Sequence, residues 1–312
     1  MSEVATTGMS AWKYAKYLAL RDVADACVAI HKFRESLKHG LKSISSSDAI
    51  YRPTGAAAEY SKVAAGFYVG CPNGCDYCYL KKGPTSGTLG GDCVKLKKCF
   101  KSEADAVEVY FNELFGGTGG TVRPEILRKG IFITFTTDPG LPETFPLFAA
   151  VIAETVKLGV PIQFLTKMTG WMESDIWKDL LSIPETKEYL AIGFTLTGRD
   201  DLEPGASTNR ERITAIKKCH DLGHTVFASI EPVINCDCSL AMIKETVGAV
   251  DLFKVGLESH RKYDKGEVIK FVDDLAALPE KPWIYLKDSI IDLIGRERST
   301  YGKNFVDADF RA

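Results

Sequence analysis

The residues best suited to chemistry in this chain are three cysteines of one short loop: Cys71, Cys75 and Cys78, within Gly70-Cys71-Pro72-Asn73-Gly74-Cys75-Asp76-Tyr77-Cys78-Tyr79-Leu80. Their spacing is Cys-x3-Cys-x2-Cys, with no fourth cysteine in register. Three thiolates can hold three irons of a [4Fe–4S] cube and leave the fourth iron open to a small ligand, whereas a cube that only carries electrons normally takes four cysteines. The missing ligand points to chemistry at the cluster. A zinc knuckle prefers paired Cys-x2-Cys units with a distant second pair, and a redox pair needs only two thiols. A triple behind an apolar strand pattern fits neither.

The elements that must position this loop follow a strand-then-helix rhythm, which predicts a parallel sheet with helical crossovers. Strands are expected at 64–69, 131–135, 161–165, 190–196, 225–230 and 252–255, with a further short strand at 283–286. Helices are expected at 104–114, 144–158, 175–181, 209–222, 240–247 and 265–277. Before them, apolar residues from Ala11 to Ile30 recur at helical spacing, predicting helix over 10–45. The expected organisation is an N-terminal helical appendage and linker at 1–60, a core at 61–290 and a tail at 291–312. Six strand–helix units are too few for an eight-fold barrel, and the rhythm alone also permits a doubly wound sheet.

In parallel α/β folds, sites collect at the C-terminal ends of strands. Each expected strand ends there in polar residues: the cysteines, then Thr136, Thr137 and Asp138, then Thr166 and Lys167, then Thr197 and Arg199, then Ser229 and Glu231, then Glu258 and His260. One or two such ends are ordinary helix caps; six in succession suggest a shared site.

Composition narrows the class. The 312 residues are 45% hydrophobic with a formal net charge of −2, enough for a packed core and too neutral for a bulk nucleic-acid binder. No apolar run is long enough to span a membrane, and Met1 to Ser10 lack a basic segment followed by an apolar stretch, so no secretory signal is expected there. Nine cysteines without an export signal suit a reducing compartment, so a cytoplasmic setting is expected.

The cysteine spacing, with Tyr77 one residue before the last thiol, resembles the radical S-adenosylmethionine (radical SAM) superfamily. In that superfamily the open iron chelates the amino and carboxylate groups of S-adenosylmethionine. One electron then cleaves the sulfonium to methionine and a 5′-deoxyadenosyl radical, which takes hydrogen from a substrate. The resemblance implies a partial (β/α)6 TIM-type barrel, a [4Fe–4S] cluster and S-adenosylmethionine as cofactors, and a flavodoxin- or ferredoxin-like electron donor. It also implies roles at the strand ends. Thr136 and Thr137 stand where the superfamily carries a Gly-Gly-Glu-like motif for the methionine ammonium. Asp138 accepts from that ammonium or caps the next helix. Thr197, Ser229 and Glu231 meet the ribose or carboxylate, and Tyr77 walls the adenine or packs in the core.

Within the superfamily, Pro53 to Tyr60, the cysteine loop, and Leu202 to Ser207 followed by Arg210, Arg212 and Ile213 resemble the spore photoproduct lyase-like branch. Ala56 departs from an arginine common there. In the lyase a cysteine returns hydrogen to the product radical. Here Cys93, Cys99 and Cys238 are the candidate thiol donors, but none matches residue by residue, so DNA repair is not carried over. Cys236 and Cys238 are alternatively partners of Cys93 and Cys99 in a second iron–sulfur site. The lysines 81, 82, 95, 97, 98 and 101 form either a phosphate-contacting patch or a solvated face. Three functions therefore stand: radical chemistry on a nucleic acid or nucleotide, the same chemistry on a peptide or small metabolite, or a non-catalytic iron–sulfur protein.

Overall fold

The computed structural model describes residues 49–83, 86–116, 122–259 and 261–310. The helix expected over 10–45 and the strand-end His260 lie outside the described residues.

Among the described residues ten strands form: β1 (Ile50–Tyr51), β2 (Ala64–Ala65), β3 (Tyr68–Val69), β4 (Lys95–Leu96), β5 (Ile131–Ile133), β6 (Ile162–Thr166), β7 (Leu190–Thr195), β8 (Thr225–Val233), β9 (Leu252–Leu257) and β10 (Trp283–Leu286). Eight of them make one sheet in the order β1-β2-β5-β6-β7-β8-β9-β10. Within this sheet the described pairs from β2 through β5 to β10 are parallel, and β1 pairs antiparallel with β2. Thus the α/β class and the parallel sheet stand, while the six-stranded count is corrected to eight. The expected strand over 283–286 is a full member, and β1 was not foreseen.

Two strands are shorter than expected for local reasons. The segment 64–69 is not continuous. Ala64 and Ala65 pair with β1 and β5, whereas Tyr68 and Val69 leave to pair antiparallel with β4. Strand β5 stops at Ile133 because Thr134 adopts φ 51°. A β-branched residue there is strained, at a cost of order 1–3 kcal/mol.

Helices cover the outer face, and the main core lies between them and the sheet. Along β5 to β10, Ile131, Ile133, Ile162, Phe164, Ile192, Phe194, Val226, Ala228, Phe253, Val255, Ile284 and Leu286 point outward into it. Alternation sends the intervening residues to the other face. There a second, smaller cluster gathers Tyr60, Ala64, Phe132, Phe227, Leu252, Tyr285 and Val306.

That inner face is concave around Tyr60. Its ring packs edge-on against Phe132 of β5 at 5.7 Å, and its hydroxyl bonds Ser229 of β8 at 2.5 Å. Strands β5 and β8 are three places apart, about 14 Å in a flat sheet at the usual strand spacing. One tyrosine side chain reaches both only because the sheet curls. The tail does not dangle: Phe305 bridges Ile284, and Val306 and Phe310 join the inner cluster.

Candidate functional site

The cysteine loop lies at the C-terminal edge of the sheet, where expected, between β3 and a short helix Tyr79–Lys82. Gly70 (φ 86°) and Gly74 (φ 67°) turn the chain in a region that other residues avoid. At Gly70 a side chain is also excluded by the carbonyl oxygen of Cys93.

Neighbouring strand ends tie the loop down. Thr136 Oγ1 donates to Tyr68 O at 2.6 Å and Thr137 Oγ1 to Gly70 O at 2.6 Å. Asp138 is buried, and both its oxygens are engaged. Oδ1 accepts from Gly140 N at 2.8 Å and Thr166 Oγ1 at 2.5 Å; Oδ2 accepts from Asn73 Nδ2 at 3.0 Å and Lys167 N at 2.8 Å. One carboxylate thereby joins the ends of β5 and β6 to the cysteine loop. From the far side, Asp76 N donates to Leu202 O and Gly205 N to Asn73 O, both at 2.9 Å.

Tyr77 is anchored, not free. Its hydroxyl donates to Glu203, a fully buried carboxylate that also pairs with fully buried Arg212. Arg212 in turn donates to Thr195 O at the end of β7, at 2.7 Å. The Lys167 ammonium sits 5.5 Å above the Tyr77 ring. Burial, followed by the Glu203 charge, pushes the Tyr77 phenol far above its ordinary range, so it donates and does not ionise.

On the concave face below lies a second polar group. Tyr60 donates to Glu231 Oε2 at 2.7 Å, and Lys287 Nζ meets both Glu231 oxygens at 2.8 and 2.9 Å. Lys287 is itself buried and bonds Ala56 O at 3.1 Å. Ser229 and Glu231 thus share one network. Thr197 is buried at the end of β7, where its N–H and that of Gly198 donate to Asn209 Oδ1 at 3.0 and 3.1 Å.

The candidate thiols are dispersed differently. Cys93 and Cys99 are exposed in the segment around β4. Cys238 is half-buried beside Gly198, in the first turn of the helix Cys236–Thr246. That helix begins four residues before the expected 240 because Asn235 caps it, accepting from Cys238 N at 2.9 Å.

The three loop thiols fit a cube by their chemistry. Burial, then the charge of Asp138, pushes the Cys71 thiol up to about 12; burial also raises Cys75. Burial thus favours the thiol form of Cys71 and Cys75, and a bound metal's positive charge would compensate their thiolates. Among the described residues, no three His, Cys, Asp or Glu side chains converge closely enough for a single metal ion. A cube spreads its ligand sulfurs more widely than one ion does. No described helix is long and apolar enough to cross a membrane.

Sequence reasoning missed Lys287, and it quoted Tyr60, Glu203 and Arg212 only as parts of a resemblance. The signal for Lys287 was its place two residues after Tyr285, on the inward phase of β10.

No family model matches the chain, and no curated protein does. Among solved structures it is similar to spore photoproduct lyase complexed with a dinucleoside spore photoproduct. The identity is 15% and the TM-score 0.49, over 68% of this chain and 59% of that one. It is also similar to SuiB of Streptococcus suis, at 11% identity and TM-score 0.43 over 54% of this chain and 42% of that one. For SuiB bound to S-adenosylmethionine the values are 12%, 0.42, 52% and 40%. The chain therefore spans under two thirds of each.

Proposed function

We propose that this protein is a radical SAM enzyme whose concave sheet acts as an open partial barrel. The observation that carries this is the cysteine triple, set on one loop and clamped to two strand ends by Asp138. Cys71, Cys75 and Cys78 would hold three irons of a [4Fe–4S] cluster. Such a cluster with S-adenosylmethionine supplies a 5′-deoxyadenosyl radical when a flavodoxin- or ferredoxin-like donor provides one electron.

The chain's own residues then have separable tasks. Asp138, Thr136 and Thr137 hold the loop in place through hydrogen bonds already made, so their role toward the cofactor is positional. Glu203 and Arg212 fix Tyr77 and with it the ring over the loop. Ser229, Glu231 and Tyr60 form the polar floor beneath, with Lys287 balancing the Glu231 charge; Thr197 borders it at β7. Of the three thiol candidates, Cys238 is half-buried at the edge that carries the loop, which suits a hydrogen donor better than the exposed Cys93 and Cys99. The substrate class favoured is a nucleic acid or nucleotide, supported by the exposed lysines 82, 95, 98 and 101 flanking the loop. An oxygen-labile cluster of this kind suits a reducing, cytoplasmic setting.

The test is electron paramagnetic resonance of the anaerobically reconstituted, reduced protein. A cluster signal that shifts when S-adenosylmethionine is added supports an open iron. A signal indifferent to the cofactor contradicts it.

A further inference from the structure

The loop 198–208 joins β7 to the helix Asn209–Asp221 and runs across the cysteine loop. One side chain closes its two ends on each other. Asn209 Oδ1 accepts from Thr197 N and Gly198 N at 3.0 and 3.1 Å, and Asn209 Nδ2 donates to Asp200 Oδ1 at 2.6 Å. Asn209 is buried, which shields these bonds from water.

The middle of the loop holds both intervals of the cysteine triple. Between Cys71 and Cys75, Gly205 N donates to Asn73 O at 2.9 Å. Between Cys75 and Cys78, Leu202 O accepts from Asp76 N at 2.9 Å, and Glu203 accepts from the Tyr77 hydroxyl. Gly205 makes the closest approach. A methyl group there would stand 2.8 Å from Pro72 O, 2.9 Å from Asn73 Cα and 3.0 Å from Asn73 C. All three are backbone atoms of the cysteine loop, so they cannot swing aside as a side chain can. Only glycine lets the two backbones come this near.

We propose that this loop is a clasp that sets the spacing of Cys71, Cys75 and Cys78 for a bound cluster and retains it, with Gly205 and Asn209 as its positioning residues. The proposal rests on the radical SAM reading of the triple. The cysteine loop turns at two glycines, and such a segment loses much conformational freedom when it is ordered. Asp138 orders it from one side, through Asn73. The clasp orders it from the other, through the residues that lie between the thiols. Part of the entropy cost of gathering three sulfurs is thereby met before any iron binds. Partners that orient ligands without touching the metal are typically worth about 10- to 100-fold in metal affinity.

The experiment is iron release to bathophenanthroline from the full-length protein, reconstituted anaerobically with iron and sulfide, together with a redox titration of the cluster. Gly205→Ala should release iron about tenfold faster than the wild type. The clusters that remain should have a higher reduction potential, because water at the displaced loop favours the more negative, reduced state. Gly193→Ala, which strains the sheet and not the clasp, should change neither reading. If Gly205→Ala fails to fold, Asn209→Ala, which opens the neck without adding bulk against the cysteine loop, should give both changes. A wild-type release rate or a wild-type potential in the clasp variants overturns the proposal. So does release that Gly193→Ala accelerates equally, which would make retention a matter of overall stability. A wild type that takes up no cluster overturns the radical SAM reading and the clasp with it. A wild type with a stable cluster and an indifferent Gly205→Ala overturns the clasp alone.

Discussion

Glu203 and Arg212 are both fully buried and face each other directly, with Tyr77 on the same carboxylate. Removing one partner of such a pair leaves an uncompensated buried charge, at about 3–5 kcal/mol. Arg212→Met should therefore lower stability to urea by that order, and adding Glu203→Gln should restore part of it. A single variant as stable as wild type would show that the pair does not hold Tyr77. At this scale the sequence was legible where residues are neighbours along the chain. The cysteine triple is complete within eight positions, so its spacing alone identifies it. Asp138 was placed at the right strand end, yet its four donors come from the cysteine loop, its own turn and the end of β6. No local pattern announces that convergence. The floor residues were half legible for the same reason: Ser229 and Glu231 stand at alternate positions of β8, whereas Tyr60 and Lys287 reach them from elements 169 and 56 positions away.

Among the elements, the parallel sheet followed from alternating strand and helix patterns, and most helices lie within a few residues of their expected bounds. The helix expected over 265–277 forms as Lys265–Ala276, capped by Asp264, which accepts from Glu267 N at 2.8 Å. The short strands were harder. Two-residue strands such as β1 and β4 carry no usable period, and β2 and β3 run together in sequence because both are apolar. The inner phase of the sheet also hides tight packing. At Gly193 of β7 a methyl group would strike the Phe227 ring. Gly193→Ala should overpack this face and cost about 1–3 kcal/mol, read as a lower thermal midpoint. A midpoint at or above the wild-type value would mean that Phe227 has room to move aside.

The whole molecule combines a large outer core with a small inner one, and the tail takes part in the second. Phe305 and Val306 are both nearly buried, and burying such side chains contributes about 1.5–3 kcal/mol each. A chain cut before residue 304 should lose several kcal/mol of stability in denaturant, whereas a cut after Phe310 should not. Acid stability should report one further buried group. Burial, then the nearby Lys187 charge, lowers the pKa of His224 from its ordinary 6.5. The unfolded chain then takes up this proton first as pH falls. Stability from this group is complete above pH 6.5 and declines below it, down to the folded-state pKa. His224→Asn should flatten that decline; an unchanged slope would assign it to other groups.

The central claim is that three thiols on one loop support cofactor cleavage at an open iron. The most direct measurement is 5′-deoxyadenosine formation by the full-length protein after anaerobic reconstitution with iron and sulfide, given dithionite and S-adenosylmethionine. The Cys71→Ala, Cys75→Ala, Cys78→Ala variant is treated identically. The account predicts 5′-deoxyadenosine from the wild type and none from the variant. Equal product from both, or none from a wild type with a full cluster and candidate nucleotides and peptides added, would contradict it.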